Sequence, residues 1–304
     1  MQSQVITINN MIRIPGGEFK MRGINMGRAF REGDPKKNRT QKVWVEVSPF
    51  SIRQYSVTRG EILGFIEETG RVLTEHQLKV GVLNFLKKPL SLDKPAVHLT
   101  NEDMIAFCDW IAKRENKPIR LPTEAEWLWA FGGEKGKTEL RMFPWGNEWS
   151  DKNVPARTDN HFHRQPDLVM AHPQGASYWG VEGFGNVLEL TLDYFWRDYP
   201  KEFSAASNPC RNTACDPLQY RVTKGLSFYM NPIDPNKPSG GSDDLLRGGI
   251  LPDEAVSIFP RYGKAADDSL GMDIGFRYVE AETNLSSFPR KSAIMPQIRR
   301  KLGG

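Results

Sequence analysis

The chain has 304 residues, 39% apolar and 26% charged, and its 41 basic and 37 acidic side chains leave a net charge of +4. That balance excludes a disordered acidic tail, and no run approaches the ~18 apolar residues a membrane-spanning helix requires. The basic residues are dispersed and no zinc-finger, helix-turn-helix or RNA-binding signature is present, so neither a nucleic-acid nor a membrane partner is expected. Three cysteines do not make a disulfide scaffold. Met1-Gln2-Ser3-Gln4-Val5 lacks the basic start and apolar core of a secretory signal, so a cytoplasmic location is expected.

In chain order, Met11-Ile12-Arg13-Ile14, Pro15-Gly16-Gly17 and Glu18-Phe19-Lys20-Met21 read as strand, turn and strand. Residues 28–40 are polar and read as an exposed loop, and Val43–Val47 reads as a strand ended by Ser48-Pro49. Thr58 with Glu61 three residues on is a capping box, followed by Ile62, Phe65 and Ile66 on one helical face and a left-handed stop at Gly70. Thr100 and Asp103 open a second helix with Met104, Phe107, Cys108 and Ile111 inward, and Lys113 and Arg114 suit its C-terminal end. Cys108 on that stripe reads as a small buried hydrophobe. Thr123 and Glu126 open a third helix with Trp127, Ala130 and Phe131 inward, stopped by Gly132-Gly133.

Beyond this point helical periodicity is scarce. Glycine, proline, aspartate and asparagine alternate with Trp145, Trp149, Trp179, Phe184 and Trp196. Such a segment reads as ordered loops pinned by aromatic side chains, and the entropy of ordering them calls for ties, of which bound metal ions are one kind. A single domain over 1–280 is expected. Residues 281–304, with Arg290, Lys291, Arg299, Arg300 and Lys301, read as a locally basic, solvated tail.

Four groups of residues carry possible chemistry. Glu182 and Glu189 flank Gly183 and Gly185, offering two carboxylates and intervening carbonyls at calcium-like spacing, or else capping and turn roles. Asn153-Val154 with Asp159 or Asp167 is a second oxygen-rich set. His161 and His163 project the same way on an extended segment and, with His172 or Asp159, form a possible copper, iron or zinc site, against plain exposed loop histidines. Cys210 and Cys215 are spaced more widely than a redox C-x-x-C and either bind a soft metal, cycle as a dithiol or do neither. No phosphate-binding glycine loop and no G-x-S-x-G elbow is present.

The segment Ile119-Arg120-Leu121-Pro122-Thr123-Glu124-Ala125-Glu126-Trp127 closely resembles the signature of the formylglycine-generating enzyme (sulfatase-modifying factor) family. Other family elements follow in order: Val57-Thr58, the helix over 95–110, Phe143-Pro144-Trp145-Gly146-Asn147, Gly185-Asn186-Val187-Leu188-Glu189, Arg221-Val222-Thr223-Lys224-Gly225-Leu226-Ser227 and Gly275-Phe276-Arg277. Leu188 and Leu190 stand where the family has tryptophans. The resemblance runs over roughly residues 11 to 280. It implies an α+β fold, a loop-rich variant of the C-type lectin fold with little regular secondary structure. It also implies structural calcium on Glu182, the Gly185 and Val187 carbonyls and Glu189, and on Asn153, the Val154 carbonyl and Asp167.

The resemblance fails at the catalytic pair. The family's two copper-binding cysteines would fall near Met230 and Pro235, and a thioether holds copper weakly while proline offers no ligand. Formylglycine generation is therefore not expected. Cys210, Cys215 and Tyr229 remain as catalytic candidates, and Met230, Asp234, Asp243, Asp244 and Arg247 as groove residues. The expected role is a binding or accessory protein whose partner is a protein or peptide, or else a small molecule. The alternatives are a copper- or iron-dependent oxidoreductase modifying a peptide or small natural product, and a structural subunit of a filament or particle.

Overall fold

Among the described residues, capping boxes at the starts of the three longest helices set the helical frame. In each, the third helical residue closes the box and also receives an arginine from elsewhere. Thr58 caps the helix Arg59–Thr69, and Glu61 binds Arg53 at 2.7 and 3.2 Å. Thr100 caps the helix Asn101–Glu115, and Asp103 takes Arg71 at 2.7 and 3.0 Å. Thr123 caps the helix Glu124–Gly132, and Glu126 takes Arg120 at 2.7 and 2.8 Å. One acid thus satisfies helix-end N–H groups and an arginine together, so each helix start is fixed to a neighbouring segment.

The computed structural model describes residues 10–26, 35–75, 77–78, 92–154, 166–199, 201, 206–214, 218–228, 254, 256–265, 271, 273–281 and 285–287. In chain order the elements are β1 (Met11–Ile14), β2 (Gly17–Met21), β3 (Ile24–Asn25), α1 (Pro35–Asn38), β4 (Val43–Val47), β5 (Phe50–Arg53), α2 (Arg59–Thr69) and α3 (Asn101–Glu115). There follow β6 (Ile119–Arg120), α4 (Glu124–Gly132), β7 (Leu188–Tyr194), β8 (Ala206–Ser207), β9 (Pro209–Cys210), β10 (Arg221–Lys224), β11 (Pro260–Lys264), β12 (Ile274–Gly275), β13 (Val279–Glu280) and β14 (Ser286–Ser287).

The strands form sheets in the orders β1-β5-β13-β6, β12-β7-β10-β11-β3 and β2-β4-β8, with a β14-β9 pair. One core joins Phe19, Val45, Phe50 and Val279 to Trp127, Leu128 and Phe131 of α4. The other packs α2 and α3 through Phe65, Phe107 and Ile111 onto Phe276 and Tyr278. This is the expected α+β, lectin-like architecture: short strands and long connections around two aromatic-rich cores.

The expected helix starts, the stop at Gly70 (φ +67°) and the strands at 11–14 and 43–47 are all present. Other details differ. Proline and serine at 48–49 make only a corner, because β5 resumes at Phe50 and pairs antiparallel with β1. Part of the 28–40 loop is the helical turn α1. The region after 133 holds the longest strand, β7, between β12 and β10. Past residue 280 the chain returns to the fold at β14, parallel to β9. Among the described residues no helix is long and apolar enough to cross a membrane.

Candidate functional site

Strand β7 alternates strictly: Leu188, Leu190 and Leu192 against Glu189, Thr191 and Asp193. Such alternation ordinarily puts the polar set in water. Here α4 covers that face, and Glu189, Thr191 and Asp193 are 2%, 0% and 0% exposed. The sequence must therefore supply internal partners for each. Thr191 donates its hydroxyl to the Val222 carbonyl at 3.0 Å, and the two carboxylates each organise a buried polar centre.

The first centre is Glu189 with Arg277. Glu189 Oε1 accepts from Ser56 Oγ and Arg277 Nη2, both at 2.7 Å. Oε2 accepts from Trp127 Nε1 at 2.8 Å and Arg277 Nε at 2.7 Å. Arg277 spends its remaining donors on the carbonyls of Arg53 and Gln54, each at 2.8 Å, and of Glu182 at 2.7 Å. Its guanidinium also lies over the Phe131 ring, 4.9 Å from the centroid.

The turn before β7 is built on glycine. Gly183 and Gly185 have φ of +98° and +90°, a region costly for any other residue. Asn186 then clamps two segments. Its amide oxygen accepts from Asp167 N at 2.9 Å, its amide nitrogen donates to the Asp167 carbonyl at 3.1 Å, and its own carbonyl accepts from Phe228 N at 2.9 Å. Glu182 Oε1 accepts from Gln54 Nε2 at 2.9 Å. Burial pushes the Glu182 carboxyl up from the ordinary range, against the hydrogen bonds of Gln54 and Tyr55 that favour its charged form.

The second centre is a fully buried group of two carboxylates and two cations. Glu124 Oε1 accepts from Arg261 Nε at 2.7 Å and lies 3.5 Å from Lys224 Nζ. Asp193 accepts from the backbone N–H of Glu124 at 2.6 Å and of Arg211 at 2.7 Å. Burial, then the Glu124 charge, lifts Asp193 to about 7 despite those two donors. Burial lowers Lys224 to about 8 against the opposing pull of Glu124. Beyond Lys224 the chain reaches Ser227, whose hydroxyl donates to Asp273 Oδ2 at 2.6 Å.

The sequence candidates fall into four groups. Glu182, through its carbonyl, and Glu189, through its carboxylate, meet at Arg277, Gly185 and Val187 lie in the turn between them, and Asp167 is drawn to the same turn through Asn186 and to His172 at 3.0 Å. Asn153 and Val154 close a helical turn packed on Pro173–Gly175, where the Asn153 carbonyl meets Gly175 closely. Cys210 is fully buried in β9, paired in register with Ser287, and burial drives its thiol far above the thiolate range. Cys215, Tyr229, Met230, Asp234, Pro235, Asp243, Asp244, Arg247, Asp159, His161 and His163 lie outside the described residues.

Calcium needs six to eight oxygens at ~2.3–2.6 Å. Glu189 does not fit that demand as placed, because four donors fill its roughly four lone-pair directions. Among the described residues no group of three or more His, Cys, Asp or Glu side chains is placed to hold a metal ion. Arg277, Glu124, Asp193, Lys224 and Arg261 were not singled out as site residues from the sequence. The alternation of β7, in a strand buried on both faces, is the signal that its polar residues need internal cations.

A family model described as the sulfatase-modifying factor enzyme 1-like domain matches residues 1–282. The formylglycine-generating enzyme of Streptomyces coelicolor is 26% identical, with 88% of this chain and 87% of that protein aligned. The hercynine oxygenase of Mycobacterium tuberculosis is 27% identical over 62% of this chain and 47% of its own. The inactive C-alpha-formylglycine-generating enzyme 2 of Bos taurus is 26% identical over 61% and 71%. Among solved structures, PvdO from Pseudomonas aeruginosa superposes with a TM-score of 0.60 at 21% identity, over 89% of this chain and 93% of its own.

Proposed function

The chain belongs to the formylglycine-generating enzyme (sulfatase-modifying factor) family, and from that premise we propose that it is a binding or accessory protein that does not generate formylglycine. The observation that carries this reading is Cys210. The family chemistry needs a reactive thiol pair, and Met230 and Pro235 stand near the positions of that pair. The thiol left to replace it on the described side, Cys210, is sealed in a strand and held protonated by its surroundings. Kinship with a protein named as an inactive formylglycine-generating enzyme supports the same reading.

In this reading the recognition surface is the segment 230–249, rich in Asn, Asp, Pro, Ser and Gly, which follows Phe228 in the sequence. Its partner is a protein or peptide. Calcium is proposed at Asn153, Val154 and Asp167 as a tie between loops. The test is an assay with a cysteine-containing sulfatase-type peptide, copper(I) and oxygen. No aldehyde above background is the expected result, and catalytic turnover overturns the proposal.

Likeness to a hercynine oxygenase favours a second reading, an iron- or copper-dependent oxidoreductase modifying a peptide or small natural product. His161 and His163 are its ligand candidates. Stoichiometric iron or copper lost in His161→Ala selects this reading over the first.

A further inference from the structure

We propose that Arg277 is the resident cation of the 182–189 turn, claiming with its guanidinium the Glu189 carboxylate that a divalent metal there would need. Arg277 is fully buried and gathers five oxygen contacts at 2.7–2.8 Å: both Glu189 carboxylate oxygens and the carbonyls of Arg53, Gln54 and Glu182. A guanidinium has five N–H donors, so every one is used. Two carboxylate oxygens and three carbonyls are also the hard-oxygen set that calcium selects. A planar fork satisfies them without the deep dehydration a metal ion demands, and it brings its own covalent tether through β12 and β13.

The two cations are mutually exclusive. A metal ion on Glu189 must displace Arg277 or Ser56 and Trp127 from the same lone pairs, and it would face a buried like charge. The backbone is shaped to the arginine. A side chain at Gly183 would put its first carbon 3.3 Å from Arg277 Nη2. The turn so closed presents Asn186, whose carbonyl holds Phe228 at the entrance to the proposed recognition segment. That entrance is then independent of divalent metal.

The test separates this centre from the calcium proposed at Asn153, Val154 and Asp167. In an Asn153→Ala, Asp167→Asn background, the melting temperature is measured with EDTA and with millimolar calcium. The expected difference is below about 1 °C, whereas a saturated structural ion shifts it by several degrees. A larger calcium-dependent shift in this background, abolished by Glu182→Gln, overturns the proposal. Arg277→Ala in the same background should melt lower and regain part of the loss with calcium, because the emptied oxygen cage then accepts it. A folded Arg277→Ala protein indifferent to calcium also overturns it. Should Arg277→Ala not fold, elemental mass spectrometry decides. Equal calcium content in the wild type and Glu182→Gln supports the proposal, and loss of one equivalent in Glu182→Gln refutes it.

Discussion

Asp193 of β7 accepts the first backbone N–H of α4, that of Glu124, at 2.6 Å, and both carboxyl groups are fully buried. The contact joins the longest strand to the signature helix. Facing the pair are Lys224 of β10, Arg261 of β11, Tyr199 of the turn after β7, Cys210 of β9, and the Arg120–Glu126 pair of β6 and α4.

Stability should therefore depend on pH through Asp193. Its folded pKa of about 7 lies above the ~3.9 of an unfolded aspartate. Between those values the folded protein holds the proton more tightly than the unfolded chain does. The stability contributed by this proton is complete below the lower value and is lost as pH rises through about 7. Urea unfolding of wild type and Asp193→Asn across this window checks it: the variant should gain relative to wild type as pH rises. Parallel profiles would refute the assignment.

The Arg53–Glu61 pair, 0% and 4% exposed, fixes the start of α2 to β5. Removing one partner leaves a buried charge, so Arg53→Met should cost about 3–5 kcal/mol in chemical denaturation. Arg53→Met with Glu61→Gln should recover part of that loss, since no charge is then stranded. By comparison Thr58→Ala, which removes only the cap hydroxyl, should cost about 1 kcal/mol.

These centres also explain what was legible in the chain. The three helices were readable because each cap, its acid and its apolar stripe lie within a few residues of one another, as in Thr123, Glu126, Trp127 and Phe131. Strand β7 was harder: its alternation suggests a solvated polar face, and only the packing of α4 reveals that both faces are covered. Arg277 stands in a family element, but its role is not legible in the sequence because its partner Glu189 is 88 residues away. Spacing left Glu182 and Glu189 open between ion ligands and turn or capping roles, and the family resemblance implied the ion. The side chain that claims Glu189 arrives from the far end of the chain.

Thiol chemistry offers a direct check on the proposed loss of activity. Cys108 is buried in α3 and Cys210 in β9, and burial raises both thiols far above the ordinary value. Neither should react with an aromatic disulfide reagent in the native protein faster than the protein unfolds. Mass mapping after a native-state pulse should leave both unmodified, while denaturant exposes all 3 cysteines of the chain. Rapid native labelling of Cys210 would return it to the list of catalytic candidates.

The turn at Gly183 gives the last test. Its φ of +98° excludes an ordinary side chain, and its added carbon would crowd the Arg277 guanidinium at 3.3 Å. Gly183→Ala should therefore cost about 1–3 kcal/mol from the backbone conformation alone. A second effect follows from geometry. Displacing Arg277 loosens Glu189, and movement of the turn carries Asn186 with it, so the Phe228 amide loses its acceptor. Hydrogen exchange at Phe228, which packs with Val97 and Val187, should accelerate in Gly183→Ala more than at Phe107, which sits in the core under α2 and α3. Equal acceleration at both would mean that the variant lowers global stability without uncoupling the turn.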